Sequence, residues 1–181
     1  KVYNNYVNRG TGPGLMILGV GHIMAYNNVI VNCGQDSSAQ GQDGIFIDDR
    51  PLTGYPALDV NVTNNTVVSP GRSGIRLENT HGTIVAVNEF HNNLIVNPGS
   101  TSSTDAYLSI RNGALDNSSG NSYLANSSQA GFYNVASDDY HLTSGSPGVD
   151  IGVDVSSWGI VQDKDGNNRM AGTKTDAAPG E

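Results

Sequence analysis

The chain has 181 residues, 36% of them hydrophobic and 14% charged, which is enough apolar material for one continuous core and too little charge for disorder by self-repulsion. A net charge of −8 and a pI near 4.7 leave no basic stripe to neutralise phosphates or an anionic bilayer, so neither nucleic acid nor membrane is expected as a partner. The longest apolar runs, Leu15 to Leu18 and Val29 to Val31, fall far short of the ~20 residues needed to span a bilayer, and the single cysteine, Cys33, permits no internal disulfide.

From its first residues the chain repeats itself. Tyr3-Asn4-Asn5-Tyr6-Val7-Asn8 recurs as Tyr26-Asn27-Asn28-Val29-Ile30-Val31-Asn32, as Thr63-Asn64-Asn65-Thr66-Val67-Val68 and as His91-Asn92-Asn93-Leu94-Ile95-Val96-Asn97, with a degenerate fifth copy at Asn121-Ser122-Tyr123-Leu124. Successive second asparagines are 23, 37 and 28 residues apart, so a common unit carries loops of differing length. Within each period a second run follows: Gly14-Leu15-Met16-Ile17-Leu18, Gly44-Ile45-Phe46-Ile47-Asp48, Gly74-Ile75-Arg76-Leu77-Glu78, and more loosely Ala106 to Arg111. A third run precedes the next asparagine pair, at Ile23 to Ala25, Leu58 to Val62 and Thr83 to Val87. All alternate with period two and none has helical spacing, so each period holds three short strands. Such a unit cannot bury its apolar face alone, but stacked units share a core and pair equivalent strands about 4.8 Å apart.

The paired asparagines fit a turn where amides stack from one coil to the next and where Asn tolerates a left-handed backbone. On these motifs the chain resembles the right-handed parallel β-helix superfamily, which includes pectate lyases, polygalacturonases, and alginate and chondroitin lyases. The resemblance implies an all-β, right-handed parallel β-helix of three-strand coils, four to five of them, over residues 1–135. It also implies a secreted, extracellular or cell-surface protein, bacterial in type, that acts on polysaccharide. Lys1 directly precedes a repeat motif, which leads to the expectation of preceding β-helix coils in a longer parent chain. Residues 136–181 change character, with Asp139-Tyr140-His141-Leu142, Ser146-Pro147-Gly148-Val149-Asp150 and Asp163-Lys164-Asp165-Gly166-Asn167. They resemble the irregular closing segment of secreted carbohydrate-active proteins, which would cover the unpaired edges of the last coil. Asp163, Asp165 and Asn167 have the spacing of a calcium loop, but Lys174 stands where its bidentate acid belongs, so a polar turn is expected.

Chemistry on a solenoid is read from the outward positions. In the second run these form two columns, Met16-Phe46-Arg76-Ser109 and Leu18-Asp48-Glu78-Arg111. Asp48, Glu78, Arg76 and Arg111 are therefore the candidate catalytic residues: two carboxyls on adjacent coils suit an acid and a nucleophile, or a Ca²⁺ site beside an arginine base. Phe46 is the candidate sugar-stacking platform, with Asp49, Arg50 and His81 as neighbouring substrate-binding residues. Two alternatives stand open beside a lyase or glycosidase: a non-catalytic glycan-binding or adhesive module, and a solvated face of cross-coil ion pairs. Lysine occurs only at positions 1, 164 and 174, which disfavours a lysine base, and the polygalacturonase order of acid pair, Gly-His-Gly and Arg-Ile-Lys is not matched.

Overall fold

The computed structural model describes residues 1–18, 22–38, 41–48, 59–78, 87–102, 105–111 and 116–169. Its first fourteen strands are β1 (Val2–Tyr3), β2 (Tyr6–Asn8), β3 (Leu15–Leu18), β4 (Ile23–Tyr26), β5 (Val29–Val31), β6 (Ile45–Asp48), β7 (Val60–Thr63), β8 (Thr66–Val68), β9 (Ile75–Glu78), β10 (Asn88–His91), β11 (Leu94–Val96), β12 (Leu108–Arg111), β13 (Asp116–Ser119) and β14 (Ser122–Leu124). Every pairing among them is parallel and joins a strand to the third one along the chain. The result is three sheets in the orders β1-β4-β7-β10-β13, β2-β5-β8-β11-β14 and β3-β6-β9-β12, called here the first, second and third sheets. This is a parallel β-solenoid. Among the described residues the only helices are three single turns of 3₁₀ helix.

Alternation within the strands aims one set of side chains into a shared core. Ala25, Val60, Val62 and Phe90 come from the first sheet, Ile30, Val67 and Ile95 from the second, and Ile17, Ile45, Ile47, Ile75 and Leu77 from the third. β-Branched residues dominate because they fill a pleated surface with little loss of rotamer freedom. The sheets approach closely where Gly14, Gly44 and Gly74 lead into β3, β6 and β9. A Cβ on these glycines would lie 2.2, 2.2 and 2.3 Å from methyls of Ile30, Val67 and Ile95.

The corner between the first and second sheets is the asparagine column expected from the repeat. The side-chain amides of Asn5, Asn28, Asn65 and Asn93 donate to the Oδ1 of the next rung at 2.9, 2.9, 3.0 and 3.0 Å, ending on Asn121, and the backbone N–H of each donor residue reaches the same oxygen. The amides of Asn28, Asn65, Asn93 and Asn121 also donate to the carbonyls of Val2, Ala25, Val62 and Phe90, so the buried groups are satisfied along the column. The residue before each rung is left-handed: Asn4, Asn27, Asn64 and Asn92 have φ of 54 to 57°, and Gly120 takes the fifth place at 65°.

The third run of the third period lies farther along the chain than its expected start. The strand directly before the asparagine pair is β10, Asn88–His91, with Val87 just outside it; residues 83–86 of the expected run lie outside the described residues.

The C-terminal segment docks on the solenoid through a hairpin. β15 (Phe132–Asn134) pairs antiparallel with β16 (Asp139–Leu142), and this hairpin packs Tyr140, Leu142 and Phe132 against Val29, Val31, Val68, Leu94 and Val96. Farther on, Val153 exchanges two 2.8 Å hydrogen bonds with Asn92, the Asn27 amide donates to the Gln162 carbonyl at 2.8 Å, and Arg169 donates to Asn27 Oδ1 at 2.8 Å. Its described part, through residue 169, runs along the flank of the second sheet, reaches the last coil at Leu124 and Gly120, and crosses the asparagine corner to His91 of the first sheet. The reason lies in the sequence: the outward positions of β5 and β11 are apolar and need cover on both faces.

Candidate functional site

The third sheet carries the expected columns residue for residue: Met16, Phe46, Arg76 and Ser109 are in register, as are Leu18, Asp48, Glu78 and Arg111. Outward does not mean open, however. Phe46 is 1% exposed and Asp48 3%, and the loop after β5 brings Gly41 so close to the Phe46 ring that a Cβ there would sit 2.7 Å from it. Phe46 therefore offers no free face to a sugar, which corrects its reading as a stacking platform; its ring lies beneath the Arg76 guanidinium, 5.7 Å from ring centre. Arg76 forms an ion pair with Glu78, its Nε donating at 2.8 Å. Arg111 pairs with Asp105 at 2.7 Å and donates to Ser109 at 3.1 Å. Just before β9, Arg72 grips the wholly buried Asp43 through two bonds of 3.0 and 2.6 Å, and Asp43 also accepts the Ser73 amide. The hydrogen bond to Asp43 pushes the Arg72 guanidinium further toward permanent charge, against the opposing effect of burial.

This face is a rail of internally matched charges. Among the described residues no group of three or more His, Cys, Asp or Glu side chains is set to hold a metal ion. The Asp48–Glu78 pair also fits Ca²⁺ poorly, since Asp48 is buried and Glu78 is engaged by Arg76. Asp49, Arg50 and His81 lie outside the described residues.

The first sheet presents a different surface. Its outward positions on neighbouring strands are Met24, Asn61, Glu89 and Asn117, and one step on Tyr26, Thr63, His91 and Ser119. A groove of about 380 Å³ on this face is lined by Lys1, His22, Met24, Asp59, Asn61, Val87, Glu89 and Trp158. Two carboxylates face it, each held by a histidine. His91 Nε2 is 2.6 Å from Glu89, its Nδ1 is 2.7 Å from Ser119 Oγ, and Trp158 covers the imidazole with ring centres 5.1 Å apart. His22 Nδ1 is 2.5 Å from Asp59. Asn61, between the two carboxylates, accepts a hydrogen bond from the Thr63 hydroxyl.

The docked C-terminal segment has its own ionisable cluster. His141 bridges Asp139 and Asp165 at 2.5 and 2.8 Å, and these hydrogen bonds raise its pKa above the usual histidine value. The same contact lowers Asp139. Partial burial works to raise Asp165, but hydrogen bonds from Lys164 and His141 carry it below the ordinary range. Burial, reinforced by the nearby Asp138, lifts the Tyr6 phenol to about 12. Asp163 accepts the amides of Asp165 and Asn167 at 2.9 and 2.8 Å and the Asn167 side chain at 3.0 Å, which is the expected polar turn.

No known family model, curated protein or solved structure matches this chain. The site therefore rests on its own geometry. Reasoning from the sequence missed Asp59, Glu89, His91 and Trp158. The signal was available for two of them: counting back from the asparagine pair aligns Glu89-Phe90-His91 with Met24-Ala25-Tyr26 and sends Glu89 and His91 outward.

Proposed function

We propose that this chain belongs to a secreted, carbohydrate-active right-handed β-helix of four to five coils, and that the groove on the first sheet holds a stretch of extracellular polysaccharide. The observation carrying this reading is the placement of the Trp158 indole in one groove with Asn61, Asp59, Glu89 and His22. An aromatic ring offers a sugar ring an apolar platform, while the carboxylates, the Asn61 amide and the His22 imidazole meet its hydroxyls. The handedness follows from the right-handed sense that twisted strands impose on parallel crossovers. The third sheet, with its arginines committed to Glu78, Asp105 and Asp43, serves as framework in this reading, and no Ca²⁺ is needed.

Trp158 is the only tryptophan, so its fluorescence reports directly on the groove. Titration with polysaccharide fragments is expected to change the emission saturably, and Trp158→Ala is expected to lose at least tenfold in affinity by calorimetry. Unaltered emission and no heat across neutral and acidic glycans would dismiss the reading.

A further inference from the structure

We infer that the groove is completed by a clamp: Asn27 and Asn92 hold residues 153–169 against the solenoid, and only the held segment presents Trp158 to a glycan. Glycan binding and docking of the segment are then one linked equilibrium, an inference that rests on the glycan-binding reading above. Trp158 is the one residue lining the groove that comes from outside the coils. Asn27 and Asn92 are positioning residues, which line no part of the groove and act through Trp158.

Backbone pairing does not hold this segment. Among the described residues, no backbone-to-backbone hydrogen bond joins residues 150–169 to the coils. Side chains make the connection at two points. The Asn92 amide donates to the Val153 carbonyl and its Oδ1 accepts the Val153 N–H, both at 2.8 Å, as a neighbouring strand would. The Asn27 amide donates to the Gln162 carbonyl and its Oδ1 accepts from Arg169, again at 2.8 Å. Trp158 lies between these two points in the chain. On either side of it Val155 and Ile160 are buried, and the single 3₁₀ turn Ser156–Trp158 brings the indole over His91, the chain neighbour of Asn92. A segment held by a few side-chain bonds and two buried apolar residues opens at lower free energy than the strands beneath it. A glycan that touches Trp158 selects the docked state, so whatever loosens docking weakens binding in proportion to the docked fraction. The coupling is reciprocal, and bound glycan holds the segment down.

The same column of asparagines supplies a control. Asn64 stands between Asn27 and Asn92 with the same left-handed backbone, φ 56°, and is fully buried, yet its side-chain oxygen and nitrogen have no partner among the described residues. Glycine suits all three positions, as Gly120 does at the fifth, and removes the amide without straining the turn.

The test compares Asn92→Gly, Asn27→Gly and Asn64→Gly in the full chain, with far-ultraviolet circular dichroism reading the fold. Without ligand, Asn92→Gly and Asn27→Gly are expected to move Trp158 emission to longer wavelength and to raise its quenching by acrylamide, while Asn64→Gly changes neither. Calorimetric titration with hexasaccharides of glucose, mannose, xylose and galacturonate is expected to show binding about threefold to tenfold weaker for Asn92→Gly. Adding Asn92→Gly to Trp158→Ala is expected to cost nothing further. Hydrogen exchange of residues 153–162 is expected to slow when hexasaccharide is bound. Unchanged emission and quenching in both clamp variants overturn the clamp, as does an equal loss of affinity with and without the Trp158 side chain. Exchange that bound hexasaccharide leaves unaltered overturns the coupling. If no hexasaccharide binds, the glycan reading falls together with the coupling, and the emission of the unliganded variants still decides the clamp.

Discussion

Two outer faces of the same solenoid carry similar acids to opposite ends. On the third sheet each described arginine already holds a carboxylate, Phe46 is covered, and Asp43 is buried. On the first sheet the carboxylates of Asp59 and Glu89 face a groove and are held by histidines, which donate without the permanent charge of a guanidinium. A carboxylate matched by arginine is spent on framework, whereas one held by imidazole at a groove wall keeps an oxygen for a ligand. Stability and binding should therefore separate between the two faces.

The largest separation is expected at Asp43→Ala, which strips Arg72 and the Ser73 amide of their partner. A loss of about 2–3 kcal/mol, or roughly 4–12 °C in Tm, is expected with glycan binding intact. Calorimetric melting beside a tryptophan titration would show it, and an unaltered Tm would break the framework assignment. Next comes Trp158→Phe, which shortens the platform but keeps an aromatic ring; affinity is expected to fall about threefold to tenfold, near 1 kcal/mol, with melting little changed. Comparable in size is Glu78→Gln, which removes the charge but keeps an acceptor in a largely buried pair with Arg76, the side chains being 16% and 12% exposed; a loss of about 1 kcal/mol in stability is expected with glycan binding untouched. A loss of binding there would move the glycan site to the third sheet.

The docked segment adds a pH dependence of its own. The raised pKa of His141 means its contribution is fully present below the ordinary histidine value and fades as pH climbs through the raised one. The lowered values of Asp139 and Asp165 mean their contribution is present above the usual carboxylate range and fades as pH falls through the lowered ones. Docking should be tightest between these limits. His141→Gln should flatten the alkaline side of a Tm-against-pH curve by a small amount, because the imidazole is 41% exposed.

Much of the architecture was written in local pattern. The asparagine rungs at 5, 28, 65, 93 and 121 and the two outward columns of the third sheet follow from period-two alternation and a repeat that marks its own register. What escaped was cover. Nothing in Gly44-Ile45-Phe46-Ile47-Asp48 says that a loop will fold over the ring, and nothing in Trp158 says that a residue 67 positions away in sequence will place its imidazole beneath it. The groove escaped also because the strand before Asn92 was sought several residues too early. Contacts between distant segments depend on which faces remain unburied after the coils stack, and that is settled only in three dimensions.

The asparagine ladder acts as a set of index pins. Its rungs join residues 23, 37, 28 and 28 positions apart in sequence, yet the amide contacts stay between 2.9 and 3.0 Å. Each coil is thereby locked to the next at one corner whatever length of chain is spliced in elsewhere. Lengthening or rewriting a connection then leaves the register of Met24, Asn61 and Glu89 unchanged, so the fold can vary the rim of its groove while keeping the floor.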